Sequence, residues 1–432
     1  MLLHAGRPNV FLRYGLARDK DIIREIARRQ LTDAIVVPAN ILAHQAAVTP
    51  YYVRSFGVPY LIDPMSYLFS RTDWCRPEGG MRPSVAKLAR TMGPAVEAIC
   101  CDAGRALVPR DLGDSAVAEI ANAAVRFQAV DVPETPSRRI AQYFRFLRKD
   151  APTPSGGGPA AITAPYFHLE AGSNETSNWL DANMRVVDAL RATGTPSVAC
   201  VLFFSQEFLE GSDPGTWSQI VRSYAACAAD TIFLWPDDFR DDFHRTGVGR
   251  GLADLVRALA PSGRTLISLY GGYYSLLLYK LGLSGISHGI LYTQHRRSDA
   301  AGSRAGPPPV RYYFPAFHQF RTILQASRIL QAAGNPVPCD CPVCQRTFAG
   351  DGSRIAEFED LARAKMHFMS ARMGEAEAVA SQDLATLLAQ LEATYQTWHL
   401  LVSGLPNPES AFGSYMEGLD HLQAWRGALG VS

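Results

Sequence analysis

Apolar residues along this chain gather in eight short runs rich in β-branched and aromatic side chains. They are Val10 to Tyr14, Ala34 to Ile41, Tyr60 to Asp63, Ile162 to Phe167, Ala199 to Phe204, Thr231 to Trp235, Thr265 to Tyr270 and Gly285 to Tyr292. Most are followed by turn residues or by helical spacing. Between the first two, Asp19 to Leu31 sets Ile22, Ile23 and Ile26 on one face among charged neighbours, the pattern of a crossover helix, and Tyr274 to Leu281 repeats it before the last run. Strands apolar throughout are buried on both faces, and alternation with helices implies a parallel sheet. Eight such units predict an α/β fold of the (β/α)8 TIM-barrel type. An open doubly wound sheet fits less well, because Tyr14-Gly15-Leu16-Ala17 stands where a Gly-rich phosphate fingerprint would follow the first strand.

Two regions depart from the repeat. Arg71 to Ala151 reads as a mostly helical insertion, ending in Pro152-Thr153-Pro154-Ser155-Gly156-Gly157-Gly158-Pro159, a linker by composition. After Pro315 the pattern is helical; in Asp383 to Leu401 the residues Leu384, Leu387, Leu388, Leu391, Tyr395 and Trp398 form one stripe, read as core or helix-partner packing rather than a cofactor site. The expected organisation is a barrel over residues 1–335, with a helical insertion at about 71–159, then a metal-binding and helical subdomain over residues 336–432.

Composition narrows the picture. With 432 residues and 47% hydrophobic content the chain supports a full barrel core and is too apolar for disorder. A formal net charge of +1 gives no general attraction to a polyanion. Residues 353–432 carry five basic side chains against ten acidic ones, so the tail repels phosphates, and nucleic acid is a disfavoured partner. The basic-aromatic stretch Ser137 to Lys149 reads as an amphipathic helix with a solvated basic face, or as a nucleic-acid contact. With no signal-peptide pattern and no bilayer-length apolar run, a cytoplasmic protein is expected.

Eight cysteines are too sparse for a disulfide scaffold, yet three crowd into Cys339-Asp340-Cys341-Pro342-Val343-Cys344. Three soft thiolates in one tight loop call for a metal. His367 is the leading fourth ligand, ahead of His399 and His318, since it is expected to open a helix folding back over the loop. A closed Cys3His set leaves no room for water, so the ion, Zn2+, would be structural. The plain alternative is three reduced cysteines in a surface turn.

The cysteine cluster, with a histidine about two dozen residues later and placed after the last strand of a barrel, resembles the structural zinc site of tRNA-guanine transglycosylases. In that family a guanine is exchanged for a 7-deazaguanine through a covalent aspartyl-sugar intermediate. Two more segments extend the resemblance. Asp63-Pro64-Met65-Ser66-Tyr67 keeps the acid-base Asp and the base-stacking Tyr of a family motif, and Gly271-Gly272 followed by a helix and Gly282-Leu283-Ser284-Gly285-Ile286-Ser287 occupies the unit that bears the nucleophile. Here the sequence departs: Ser287 stands where the nucleophilic Asp belongs, and Ser284 replaces the motif's other Asp. A neutral hydroxyl needs its own base to attack an anomeric carbon, and His288, pointing to the opposite strand face, does not supply one. No acidic residue occurs between Lys280 and Asp299, which leaves Asp299 as the one backup nucleophile.

At the C-terminal mouth, where barrels carry function, the resemblance implies base binding by Asp63, Tyr67 and Phe69; on their own these read equally as a turn aspartate and core aromatics. Gln206 follows the fifth strand, and its amide can read a purine carbonyl and N–H together. Gly271 and Gly272 permit close backbone approach by a ligand, or simply form a tight turn. Asp237, Asp238, Asp241, Asp242 and His244 form a run that binds a divalent ion or, more often, is a solvated loop. Tyr166, His168 and Glu170 stand where the family shows a base-reading carboxylate.

Three functions follow. The first is a transglycosylase relative that binds a 7-deazaguanine-type base without exchanging it, like the accessory proteins of bacterial CBASS antiphage systems, with a deazaguanine-modified protein partner such as a nucleotidyltransferase. The others are an active tRNA or DNA transglycosylase, and a barrel kept only as an interaction scaffold.

Overall fold

In the computed structural model the described residues are 4–15, 20–45, 48–76, 80–129, 135–146, 151–155, 157–290, 294, 296–299, 309–403 and 419–430. The eight apolar runs are eight parallel strands: β1 (Asn9–Arg13), β2 (Ala34–Pro38), β3 (Tyr60–Asp63), β4 (Ile162–Thr163), β5 (Val198–Ser205), β6 (Thr231–Asp237), β7 (Thr265–Ser268) and β8 (Gly285–His288). They form one sheet in the order β3-β2-β1-β8-β7-β6-β5-β4. The sheet curls until its edges meet. Ala160 N donates to Tyr60 O at 2.8 Å, and Ser66 Oγ bridges to the backbone of Tyr166 beyond β4, giving to its carbonyl and receiving from its N–H. This is a nearly closed (β/α)8 barrel, and closure removes the exposed edges of an open sheet.

The strands form because their residues are apolar on both faces: every residue of β1, β5 and β8 is buried. Helices from the predicted crossover segments cover the outside, for example Lys20–Arg28, which buries Ile23 and Ile26 against the barrel. Four of the runs prove shorter as strands than their hydrophobicity suggests, β2 ending at Pro38 where a helix begins, β4 at Thr163, β7 at Ser268 and β8 at His288; Leu291 and Tyr292, at the end of the last run, lie outside the described residues. In the insertion, Asp114–Gln128 is the longest helix among the described residues. It docks through the Gln128 side-chain amide, which donates to Thr163 O at 2.8 Å and accepts from Thr163 N at 2.9 Å. Helix Arg138–Phe146 buries Ile140 and Phe144, with Tyr51 and Tyr52 rings against Phe144, and leaves its basic face outside. The linker holds no helix or strand among its described residues, though Ser155 N reaches Arg54 O.

Past the barrel, β9 (Arg311–Phe314) and β10 (Gln319–Thr322) pair as an antiparallel hairpin. Helices Ile323–Ala332, Pro342–Phe348, Leu361–Ser381, Leu384–Ser403 and Asp420–Ala428 follow. Along the predicted stripe, Leu387, Leu388 and Leu391 are buried and Trp398 packs on Phe317, which makes the stripe core. Among the described residues, no helix is long and apolar enough to cross a membrane.

Candidate functional site

The cysteine loop closes as its spacing requires. Pro342 sits in the first turn of helix Pro342–Phe348, and Cys341 caps that helix, its Sγ accepting from Cys344 N at 3.4 Å; Cys339 Sγ accepts likewise from Cys341 N. His367 does not open its helix. It lies in the second turn of Leu361–Ser381 and is wholly buried. Its Nδ1 stands 3.4 Å from Cys341 Sγ and 3.2 Å from Cys344 Sγ, while Nε2 donates to Tyr313 O at 2.7 Å. That bond fixes the tautomer and turns the Nδ1 lone pair to the thiols, as an outer-shell partner does for a metal-bound histidine. The four ligand atoms all lie within 4.8 Å of one another, so the cluster could hold a metal ion. Ligand atoms around tetrahedral zinc, with bonds of about 2.0–2.3 Å, stand roughly 3.5–4 Å apart, and this grouping fits. The Tyr312 ring stacks on His367 at 4.3 Å and its hydroxyl meets Cys344 Sγ at 3.2 Å, sealing the cluster. The acidic run at 237–242 makes no such grouping among the described residues.

The mouth of the barrel is divided. On the β1 to β4 side, Asp63 at the end of β3 meets Arg13 at the end of β1, Oδ2 to Nη2 at 2.8 Å. Its Oδ1 accepts from Tyr166 Oη at 2.8 Å and from Met65 N at 3.1 Å. Tyr67 and Phe69 are 0% and 1% exposed. Tyr67 joins an aromatic plug over the barrel axis, with Phe203 at 5.2 Å and Trp235 at 5.0 Å. A second guanidinium, Arg296, lies over the Tyr67 and Trp235 rings and donates to Tyr270 Oη. None of Asp63, Tyr67 and Phe69 borders the open space of the mouth.

That space is a cavity of about 1070 Å³ on the β5 to β7 side, walled by strand-end loops, by the β9–β10 hairpin and by Trp425. Gln206 lines it, together with His168, Ser205 and Asp237. His168 stacks on Phe203 of the plug at 4.3 Å, its Nε2 3.4 Å from Ser205 Oγ. Burial, helped by the positive charge of Arg71, pushes its pKa down to about 3, so the ring is neutral. Asp237 accepts from Ser298 N and Oγ, and burial raises its pKa against those bonds. Asp299 also lines the cavity, its carboxylate paired with Arg297 at 2.6 Å. Neutral imidazole, amide, carboxylate and guanidinium on one wall suit a polar, multiply hydrogen-bonding ligand.

Gly271 and Gly272 are buried behind this wall. Gly272 N donates to Asp241 Oδ2 at 2.8 Å, and Ser275 N and Oγ also bond that carboxylate. A Cβ on Gly272 would lie 2.6 Å from Gln294 Oε1, and one on Gly271 2.7 Å from Ser275 Cβ. The close approach that demands glycine here is by the protein's own side chains. Asp241, with no cation paired to it among the described residues, has its pKa raised by burial to about 6. Ser287 and His288 are both 0% exposed, and neither Ser287 Oγ nor His288 Nε2 has a hydrogen-bond partner among the described residues. Ser284 lies at the other end of β8, its carbonyl accepting from Asn9 N.

Sequence reasoning missed Arg13, Arg296 and the buried Arg372–Glu375 pair of helix Leu361–Ser381. A cation ending an apolar run, Val10-Phe11-Leu12-Arg13, was the available signal for the first.

No family model and no curated protein sequence matches this chain. Among solved structures, it is similar to a protein assigned as a fructose-1,6-biphosphate aldolase from Coccidioides immitis, at 8% identity and TM-score 0.33 over 86% of this chain and 93% of that one. It is also similar to TsXylA, an intracellular xylanase from Thermoanaerobacterium saccharolyticum, at 8% identity and TM-score 0.35 over 70% of this chain and 90% of that one.

Proposed function

We propose that this protein is a transglycosylase-type barrel that binds a 7-deazaguanine-type base at its mouth without exchanging it, with a structural zinc ion on Cys339, Cys341, Cys344 and His367. The observation that carries the reading is the pairing of a closed Cys3His cluster after β8 with a β8 that holds a buried Ser287 at the nucleophile's position and offers no carboxylate. Glycosidic exchange needs an ionised nucleophile at the anomeric carbon, and Asp299, the backup, lies beyond the end of β8 with its carboxylate engaged by Arg297. The base is proposed to lie in the cavity, with Gln206 reading its edge and neutral His168 beside it; Tyr67, within the plug, and Asp63, bonded to Tyr166, support that wall from the closed side, while Phe69 is core. The acidic tail favours a protein over a polynucleotide as the carrier of the base, in keeping with an accessory role in CBASS-like defence beside a nucleotidyltransferase.

The test is calorimetric titration with free 7-deazaguanine, alongside incorporation of labelled guanine into tRNA and DNA. Binding without incorporation is expected, weakened roughly tenfold by Gln206→Ala through loss of a buried hydrogen bond. Incorporation overturns the non-catalytic half, and absence of binding overturns the base. Elemental analysis should give about one zinc per chain. Cys341→Ala should yield insoluble protein, because structural zinc supplies folding free energy on the order of 10 kcal/mol; a soluble, metal-free variant that still melts cooperatively sinks the zinc assignment.

A further inference from the structure

One histidine on the cavity wall is held as a functional group is held, and the reading above does not use it. His318 closes the β9–β10 hairpin with a backbone φ of 55°, in the left-handed region that a non-glycine residue enters at a cost. Its ring lies flat on Tyr273, centroids 3.3 Å apart and planes 6° from parallel. Its Nδ1 is 2.7 Å from Oε1 of Glu375. The carboxylate is itself fixed, accepting from Tyr313 Oη at 2.8 Å, while Arg372 Nη1 lies 2.8 Å from Oε2 as an ion contact rather than an aligned hydrogen bond. Arg372 is fully buried and Glu375 is 7% exposed. The ring therefore cannot turn, and the carboxylate claims the Nδ1 proton. His318 lines the cavity, and its Nε2 has no hydrogen-bond partner among the described residues.

We infer that His318 is a recognition residue of the cavity, presenting the Nε2 lone pair to a ring N–H of a planar heterocyclic ligand. A carboxylate on one imidazole nitrogen and an acceptor on the other is the arrangement that makes a neutral histidine a directional proton acceptor. Tyr273, Phe320 and Trp425, on the same wall, give the flat surroundings a heterocycle needs. A deazaguanine lacks the imidazole-type acceptor of guanine's five-membered ring but keeps a pyrrole N–H, so an acceptor is the complementary group. The choice of heterocycle rests on the function proposed above; the state of His318 does not. Glu375 acts through His318 and is a positioning residue.

The experiment compares the whole protein with His318→Asn, which tolerates the left-handed turn, using 7-deazaguanine and 9-methyl-7-deazaguanine as probes. Wild type should prefer the unmethylated base about tenfold, the worth of one buried hydrogen bond, and His318→Asn should erase the preference. Nitrogen-15 spectra of the ligand-free protein should show the His318 ring protonated at Nδ1 alone, and Glu375→Gln should redistribute the proton while the fold persists. Equal affinity of wild type and His318→Asn for both probes overturns this inference and leaves the base site standing. Wild type that binds neither probe overturns both. An Nε2-protonated ring overturns the inference whatever the binding result.

Discussion

The two sides of the barrel mouth hold similar side chains and do opposite things with them. On the β1 to β4 side, Asp63 has a cation, a phenol and a backbone N–H as partners, and the aromatics beside it fill the space completely. On the β5 to β7 side, Asp241 has only N–H and O–H donors among the described residues, and the neighbouring His168, Asp237 and His318 face a cavity. The lesson is that a carboxylate at a barrel strand end marks a site only when its charge is not already matched inside the protein. Asp63 is matched by a direct ion pair and therefore structural in its immediate geometry; Asp241 has no direct ion pair among the described residues, only the more distant charge of Arg372, and burial holds its pKa up.

The comparison breaks most sharply at Arg13. Removing it as Arg13→Ala leaves Asp63 charged, buried and unpaired, which should cost about 3–5 kcal/mol in urea denaturation. A variant of near wild-type stability that loses base affinity instead would turn the closed side into the binding side. Asp241 sharpens it next. Its carboxyl is harder to ionise folded, at about 6, than unfolded, so the stability it contributes is present below about pH 4 and lost as pH rises through 6. The loss is on the order of 3 kcal/mol, since each tenfold weakening of the acid is worth about 1.4 kcal/mol. Asp241→Asn should flatten the fall in urea midpoint between pH 4 and pH 7; an unchanged slope would show that the ionised carboxylate is as well satisfied as that of Asp63. The smallest effect belongs to Ser287→Ala. Its Oγ bonds nothing among the described residues, so stability should move by no more than about 0.5 kcal/mol and base binding should not change. Loss of function in that variant would put chemistry back on β8.

How much of this is legible in the sequence follows the distance along the chain over which each feature is decided. The strands are legible because each is a local run of apolar residues. The cysteine cluster is legible because three of its ligands lie within six residues, although the pattern suggests a helix start at His367 and the helix begins at Leu361, more than a full turn earlier. The mouth is not legible in the same way. Whether Asp63 meets a ligand or Arg13 depends on a residue fifty positions upstream, and whether Tyr67 is a platform or a plug depends on Phe203 and Trp235 from other strands. Gly271 and Gly272 are legible as a place of close approach, but not as to what approaches. His318 reads in the sequence as a spare metal ligand, because nothing local to it announces Glu375 from a helix more than fifty residues on.

The indole of Trp425 donates its N–H to the carbonyl of Asp241, a bond spanning 184 residues, and the same ring forms part of the cavity wall. The helix Asp420–Ala428 therefore completes the rim of the cavity beside strands laid down far earlier in the chain. Without that helix Asp241 and Tyr273 would lie open to water, so the cavity takes its shape from segments that are far apart along the chain.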